Sequence, residues 1–126
     1  MFITIDETDV RPIYRQIAEE IKALIARGEL PEGAPLLSVR QLAANLGLNL
    51  NTIATAYREL QAEGLVTIRH GTGVTVASTR ANDKSDADLR KPLRAALTGL
   101  ILSGLARQQI MSIVGSELRD LLKGVR

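Results

Sequence analysis

The stretch SVRQLAANLGLNLNTIATAYRELQAEGL, Ser38 to Leu65, runs straight into VTIRHGTGVTV, Val66 to Val76. Ser38 with Gln41 three residues on is a capping-box pair that opens a helix. Val39, Leu42, Ala43 and Leu46 form that helix's apolar stripe, and Gly47 closes it. Asn49 is placed to cap a further helix whose inner face is Ile53, Ala56, Tyr57 and Leu60 and which ends at Gly64. Leu65–Arg69 and Gly73–Ala77 then alternate apolar and polar residues around His70-Gly71-Thr72, a hairpin signal. Two short helices about a glycine turn, followed by a hairpin, predict a helix-turn-helix with a wing. DNA binding becomes the leading function.

Upstream, Phe2 to Ile5 suits a short strand. Pro12 suits the first turn of a helix in which Ile13, Ile17, Ile21, Leu24 and Ile25 recur at helical spacing down to Gly28. Arg15, Glu19, Glu20 and Lys22 lie on the opposite face. GELPEGAPLL, with two glycines and two prolines, reads as a loop. Downstream, Ser78 to Asp88 (STRANDKSDAD) is polar and small and reads as a linker. Leu89, Leu93, Ala96, Leu97, Leu100 and Ile101 form one further helical stripe. Ile110, Ile113, Val114, Leu118, Leu121 and Leu122 form another. Ser103-Gly104 interrupts the two, and Pro92 is expected in the first turn of its helix.

The expected architecture is mainly α with a small β-hairpin wing. A winged helix-turn-helix spans residues 1–77, a linker 78–88, and a two-helix dimerisation or effector region 89–126. Two short helices cannot bury such wide stripes against each other alone. Pairing with the same helices of a second subunit would cover them, and it is favoured over folding back onto the N-terminal domain. A homodimer with two-fold symmetry would present two recognition helices to a palindromic double-stranded DNA operator.

Composition narrows the function classes. The 126 residues include no cysteine, which excludes disulfides and thiolate chemistry and fits a reducing cytoplasm. The N-terminus lacks signal-peptide character. The longest uncharged run of the C-terminal half, Ala95 to Ala106, is too short to span a bilayer, so no membrane is expected. With one histidine, no carboxylate cluster and no nucleophile–base pair or phosphate loop, no metal, cofactor or enzymatic activity is expected. Charge gives the DNA reading no support. Residues 1–80 carry eight Lys/Arg and nine Asp/Glu, net −1, and residues 81–126 carry eight and five, net +3. Binding must therefore rest on a few placed groups.

Asn51 and Thr52 fall on the first turn of the third helix, and Thr55 one turn later on the same exposed face. Asn can pair bidentately with adenine, and a threonine methyl can meet thymine. Asn49 has a competing structural role as the helix cap, and capping is favoured for it. Arg40, near the start of the second helix, can clamp a phosphate or reach a base edge, or stand solvated. Arg58 lies midway along the third helix, with Glu59 and Glu63 as neighbouring ion-pair partners. Arg69, His70 and Gly71 form a wing tip able to approach the backbone or a minor groove. His70 can equally be an ordinary turn residue.

PIYRQI (Pro12–Ile17), GELPEGAPLLSVRQLAANLG (Gly28–Gly47), NLNTIATAYRELQAEGLV (Asn49–Val66) and RHGTG (Arg69–Gly73) together resemble the winged-helix domain of the GntR family of bacterial transcription regulators. The Pro-Ile-Tyr-x-Gln-Ile opening and the Asn-x-Asn-Thr-x-x-x-Ala-Tyr block are most similar to its YtrA-type subfamily, as is the short two-helix C-terminal region. The resemblance covers about Phe2–Ala77. It implies a dimeric repressor of its own operon and of adjacent, often transporter-like, genes. It also implies DNA contacts at Arg40, at Asn49, Asn51 and Thr52, and at the wing glycine Gly71. Three positions depart from the family pattern. Leu37 replaces a proline before the second helix, Leu50 replaces the proline of Asn-Pro-Asn-Thr, and Thr55 replaces an arginine. The first two cost rigidity; the third removes a contact, so relatives' operator sequences do not transfer.

A small-molecule effector acting on residues 89–126 is a further expectation, motivated by the hinge-like linker. Two rivals remain at this level: a winged-helix module that binds protein, and a small-molecule carrier using the apolar C-terminal helices.

Overall fold

In the computed structural model, residues 3–69, 73–81 and 84–123 are described. Helix α1 (Ile13–Ala26) is followed by β1 (Pro35–Leu36), α2 (Val39–Leu46), α3 (Leu50–Ala62), β2 (Val66–Arg69), β3 (Gly73–Val76), α4 (Asp86–Leu102) and α5 (Arg107–Leu121). α1 packs across α3, and Ile17, Ile21, Ile53, Ala56, Tyr57 and Leu60 are wholly buried between them and the sheet. Burial of this size is the main stabilising term of so small a unit.

The loop read from GELPEGAPLL contains an element that its prolines and glycines conceal. Pro35 and Leu36 pair antiparallel with Thr75 and Val74, which makes β3 the centre of a three-stranded sheet ordered β1-β3-β2. Pro35 has no N–H to give, so an edge strand is the place that tolerates it. Leu36 turns into the core. β2 and β3 pair in register from Val66↔Val76 to Arg69↔Gly73, as the alternation predicts.

No strand is found at the described part of Phe2–Ile5. Ile3 and Ile5 pack on the core, but a side chain supplies the partners that a neighbouring strand would have offered. Gln16 of α1 is 4% exposed. Its Oε1 accepts the Asp6 N–H at 3.0 Å, and its Nε2 donates to the carbonyls of Asp6 and Arg11, each at 3.2 Å. This buried amide stitches the N-terminal segment to the helix.

α4 begins earlier than Pro92 suggests. The Ser85 hydroxyl accepts the Asp88 N–H at 3.1 Å, and Asp86 and Asp88 occupy the first turn, where carboxylates oppose the helix dipole. Residues 86–88, read as linker, are therefore helical, and Pro92 lies inside the helix. Because α4 is exposed there, the backbone carbonyl that Pro92 leaves without an amide donor can turn to water. Ser103 ends the helix, and Gly104, at φ +87°, turns the chain into α5. α4 buries none of its residues and α5 buries only Ile110.

Candidate nucleic-acid interface

Both helices of the helix-turn-helix start on the caps expected of them. The Ser38 hydroxyl accepts the Gln41 N–H at 3.1 Å, while Gln41 Oε1 accepts the Ser38 N–H at 3.0 Å. Gly47, at φ +66°, closes α2 in the left-handed conformation that a side chain would disfavour. Asn49 Oδ1 accepts the Asn51 N–H at 2.8 Å, so the capping role assigned to it holds. The angle between the helices is pinned from inside. The hydroxyl of the buried Tyr57 donates to the Leu37 carbonyl at 2.6 Å, joining α3 to the residue before the α2 cap. Burial raises the Tyr57 pKa well above its ordinary value of 10.0.

With Ile53, Ala56, Tyr57 and Leu60 turned inward, Asn51 and Arg58 are exposed on the outer face of α3, and Thr52 and Thr55 are half-buried at its margins. Thr55 is engaged within the helix. Its hydroxyl donates to the Asn51 carbonyl at 2.8 Å and accepts from the Arg58 guanidinium at 3.2 Å. Arg58 thus reaches back one turn and brings a cation beside the position where the family pattern has an arginine. The expected pairing of Arg58 with Glu59 or Glu63 is not found. Glu59 pairs with Arg15 of α1 at 3.7 Å, and Glu63 with Lys22 at 2.8 Å and Lys84 at 3.6 Å. Those two carboxylates face α1 and the segment before α4, leaving the start of α3 free of acid.

Arg40 is exposed on the first turn of α2, and Arg69 is exposed at the end of β2. His70 and Gly71 lie outside the described residues. Counting charge by halves of the chain hides what matters locally. Between Glu32 and Glu59 the sequence holds Arg40 and Arg58 and no acid, and between Glu63 and Asp83 it holds Arg69 and Arg80 and no acid. The net −1 of residues 1–80 comes mainly from the N-terminal segment, α1 and the loop after it.

Sequence reasoning assigned no role to Leu50. It opens α3 beside Asn51 and is 44% exposed. No sequence signal set it apart, because Leu50 lies three residues before Ile53 and seven before Tyr57, at the edge of the inner stripe of its own helix. Among the described residues no group of histidine and carboxylate side chains could hold a metal, and no helix is long and apolar enough to cross a membrane.

Comparison with known proteins agrees with this geometry. Residues 13–76 match the model of bacterial regulatory proteins of the gntR family. The chain is 34% identical over 116 residues to the uncharacterized HTH-type transcriptional regulator YhcF of Bacillus subtilis, covering 92% of this chain and 88% of that one. It is 39% identical over 75 residues to the transcriptional repressor YtrA of the same organism, covering 60% and 58%. A structure described as a transcriptional antiterminator from Listeria monocytogenes superposes with a TM-score of 0.84 at 28% identity, over 97% of this chain and 93% of that one. The DNA-binding domain of AraR in complex with an operator superposes at 0.52 with 26% identity, over 61% and 93%. These likenesses favour a DNA-binding regulator over the protein-binding module and the carrier. The chain belongs to the GntR family of bacterial regulatory proteins, in its YtrA-type branch, and is a winged-helix transcriptional regulator.

Proposed function

We propose that this regulator is a dimeric repressor that reads a palindromic operator with the first two turns of α3. The carrying observation is the division of labour on that helix. Asn49 is committed to the cap, which leaves the Asn51 amide and the Thr52 side chain for base edges, with Arg58 held back over Thr55. Arg40 and Arg69 flank α3 in sequence, on α2 and at the wing, and take the backbone phosphates. The wing tip at His70 and Gly71 approaches the neighbouring backbone or minor groove.

Dimerisation through α4 and α5 supplies the second half-site. Leu89, Leu93, Ile101, Leu102, Met111, Ile113, Leu118 and Leu122 are between 38% and 82% exposed. Covering the exposed part of such a side chain contributes about 1 kcal/mol. Eight per subunit, counted twice, give roughly 15 kcal/mol gross, enough to meet an association cost of about 4–15 kcal/mol. Leu93, Leu97, Ile101, Leu105, Ile110, Met111 and Val114 line an open apolar groove of about 580 Å³ for the partner's helices. An effector that repacks these helices would change the spacing of the two α3 helices.

Titration against restriction fragments of the source genome, with parallel measurement of mass in solution, tests the proposal. Specific retention of a few fragments by a dimer is expected. Two phosphate-clamping arginines per subunit, Arg40 and Arg69, four in all, predict a log–log salt slope of about −4. Uniform retention of all fragments, or a monomer at micromolar concentration, would refute it.

A further inference from the structure

We infer that Leu50 reads the 5-methyl group of a thymine, so that each half-site carries a thymine opposite the first turn of α3. The inference rests on the DNA-binding reading above and adds a residue to it. Among the described residues from α1 through β3, Leu50 is the one large apolar side chain that is exposed, at 44%. The others among the described residues are Val10 and the residues of α4, α5 and Leu122 already assigned to the dimer. Leu50 is not one of the buried residues of the core.

Nothing in the helix start calls for a leucine. The cap comes from Asn49, and the backbone N–H of the first helical position has no intrahelical carbonyl to reach. A polar side chain or a proline would serve the helix as well and would leave less apolar surface in water. The neighbours on this end of α3 offer hydrogen-bonding groups. The Asn51 amide presents donors and an acceptor, and Thr52 a hydroxyl. An exposed isobutyl group beside them offers only apolar contact, and in the major groove the one apolar feature of a base edge is the thymine methyl. Half-buried Ala54, one turn on, is small and leaves that approach open.

The test replaces each thymine of the selected operator by deoxyuridine, which removes the methyl and leaves the pairing edge unchanged. Wild-type protein should lose about fourfold in affinity at one thymine per half-site, the value of one buried methyl, and about fifteenfold when both half-sites are changed. Leu50→Ala should bind the thymine and uracil operators equally. Uracil sensitivity that survives in Leu50→Ala, or is absent from the wild type, would overturn the assignment. So would its abolition by Thr52→Ser, which deletes only a methyl, or a change of oligomeric state in Leu50→Ala, which would place the side chain at an interface. Failure to select any operator would overturn the underlying DNA reading as well. A methyl-insensitive but specific operator overturns this assignment alone.

Discussion

Tyr57→Phe removes one oxygen atom and isolates the bond that sets α2 against α3. The tyrosine ring is wholly buried and stays packed in the variant, so the hydroxyl's 2.6 Å bond to the Leu37 carbonyl is what is lost. Leu37 is half-buried, so its carbonyl recovers part of its hydration, and the cost should fall near 1–2 kcal/mol. In a winged-helix unit of this size that lowers Tm by roughly 5–15 °C. The pH dependence carries a sign. Burial raises the native Tyr57 pKa above the ordinary 10.0, so the stability due to the neutral hydroxyl is complete below pH 10 and is lost as the unfolded tyrosine ionises above it. The gap between wild type and variant should therefore be constant from pH 7 to 9 and shrink toward pH 11. Thermal melts followed by circular dichroism at each pH measure both effects. An unchanged Tm at pH 7, or a gap that widens in alkali, would refute the role given to this bond.

Three further outcomes follow from separate parts of the molecule. Gln16→Ala should cost about 1–2 kcal/mol in chemical denaturation, because it removes three part-buried bonds to the backbone of Asp6 and Arg11, and should speed proteolysis before Pro12. Ile101→Glu, at a position 61% exposed in the isolated chain, should yield a monomer by sedimentation with unaltered helix content and a loss of operator affinity of roughly tenfold or more. Asp6 and Asp9 are held below the ordinary carboxyl pKa by hydrogen bonds from Thr8 and from Arg11. Their contribution is present above about pH 4 and disappears as pH falls below it. Melts between pH 3 and 6 should show a shallower acid decline in Asp9→Asn than in the wild type.

The features legible from sequence were those in which one residue type has one local consequence. Ser38 with Gln41, Asn49 as cap, Gly47 and the period of Ile53, Ala56, Tyr57 and Leu60 each predict the geometry observed. What escaped depends on distant partners. β1 exists because β3 offers Ala34–Leu36 a ladder, and its prolines and glycines disguise it as loop. Gln16 looks like a surface residue until its three backbone partners are brought to it. The reach of α4 back to Ser85 was obscured by the weight placed on Pro92. The partners of Glu59 and Glu63 come from α1 and from Lys84, so adjacency in sequence misassigned them to Arg58. On the proposed reading surface, the exposure of Arg40 and Asn51 was legible from their helical positions, whereas the half-buried, internally bonded state of Thr55 was not. The acid-free windows that make their setting cationic were lost in a charge balance taken over whole domains.

Selection of operators from a random DNA pool, run in parallel with wild type and Asn51→Ala, tests most directly whether α3 reads sequence. Asn51 is exposed, and its hydrogen bonds to Asn49 and Thr55 are made by its backbone, so the variant should fold as the wild type does. Wild type should enrich one palindrome with an adenine held in each half-site. The variant should enrich the same palindrome with that position relaxed, at a cost of about 1–3 kcal/mol on the parent operator. An identical consensus from both proteins, or no consensus from the wild type, would contradict the reading of α3 as the recognition helix.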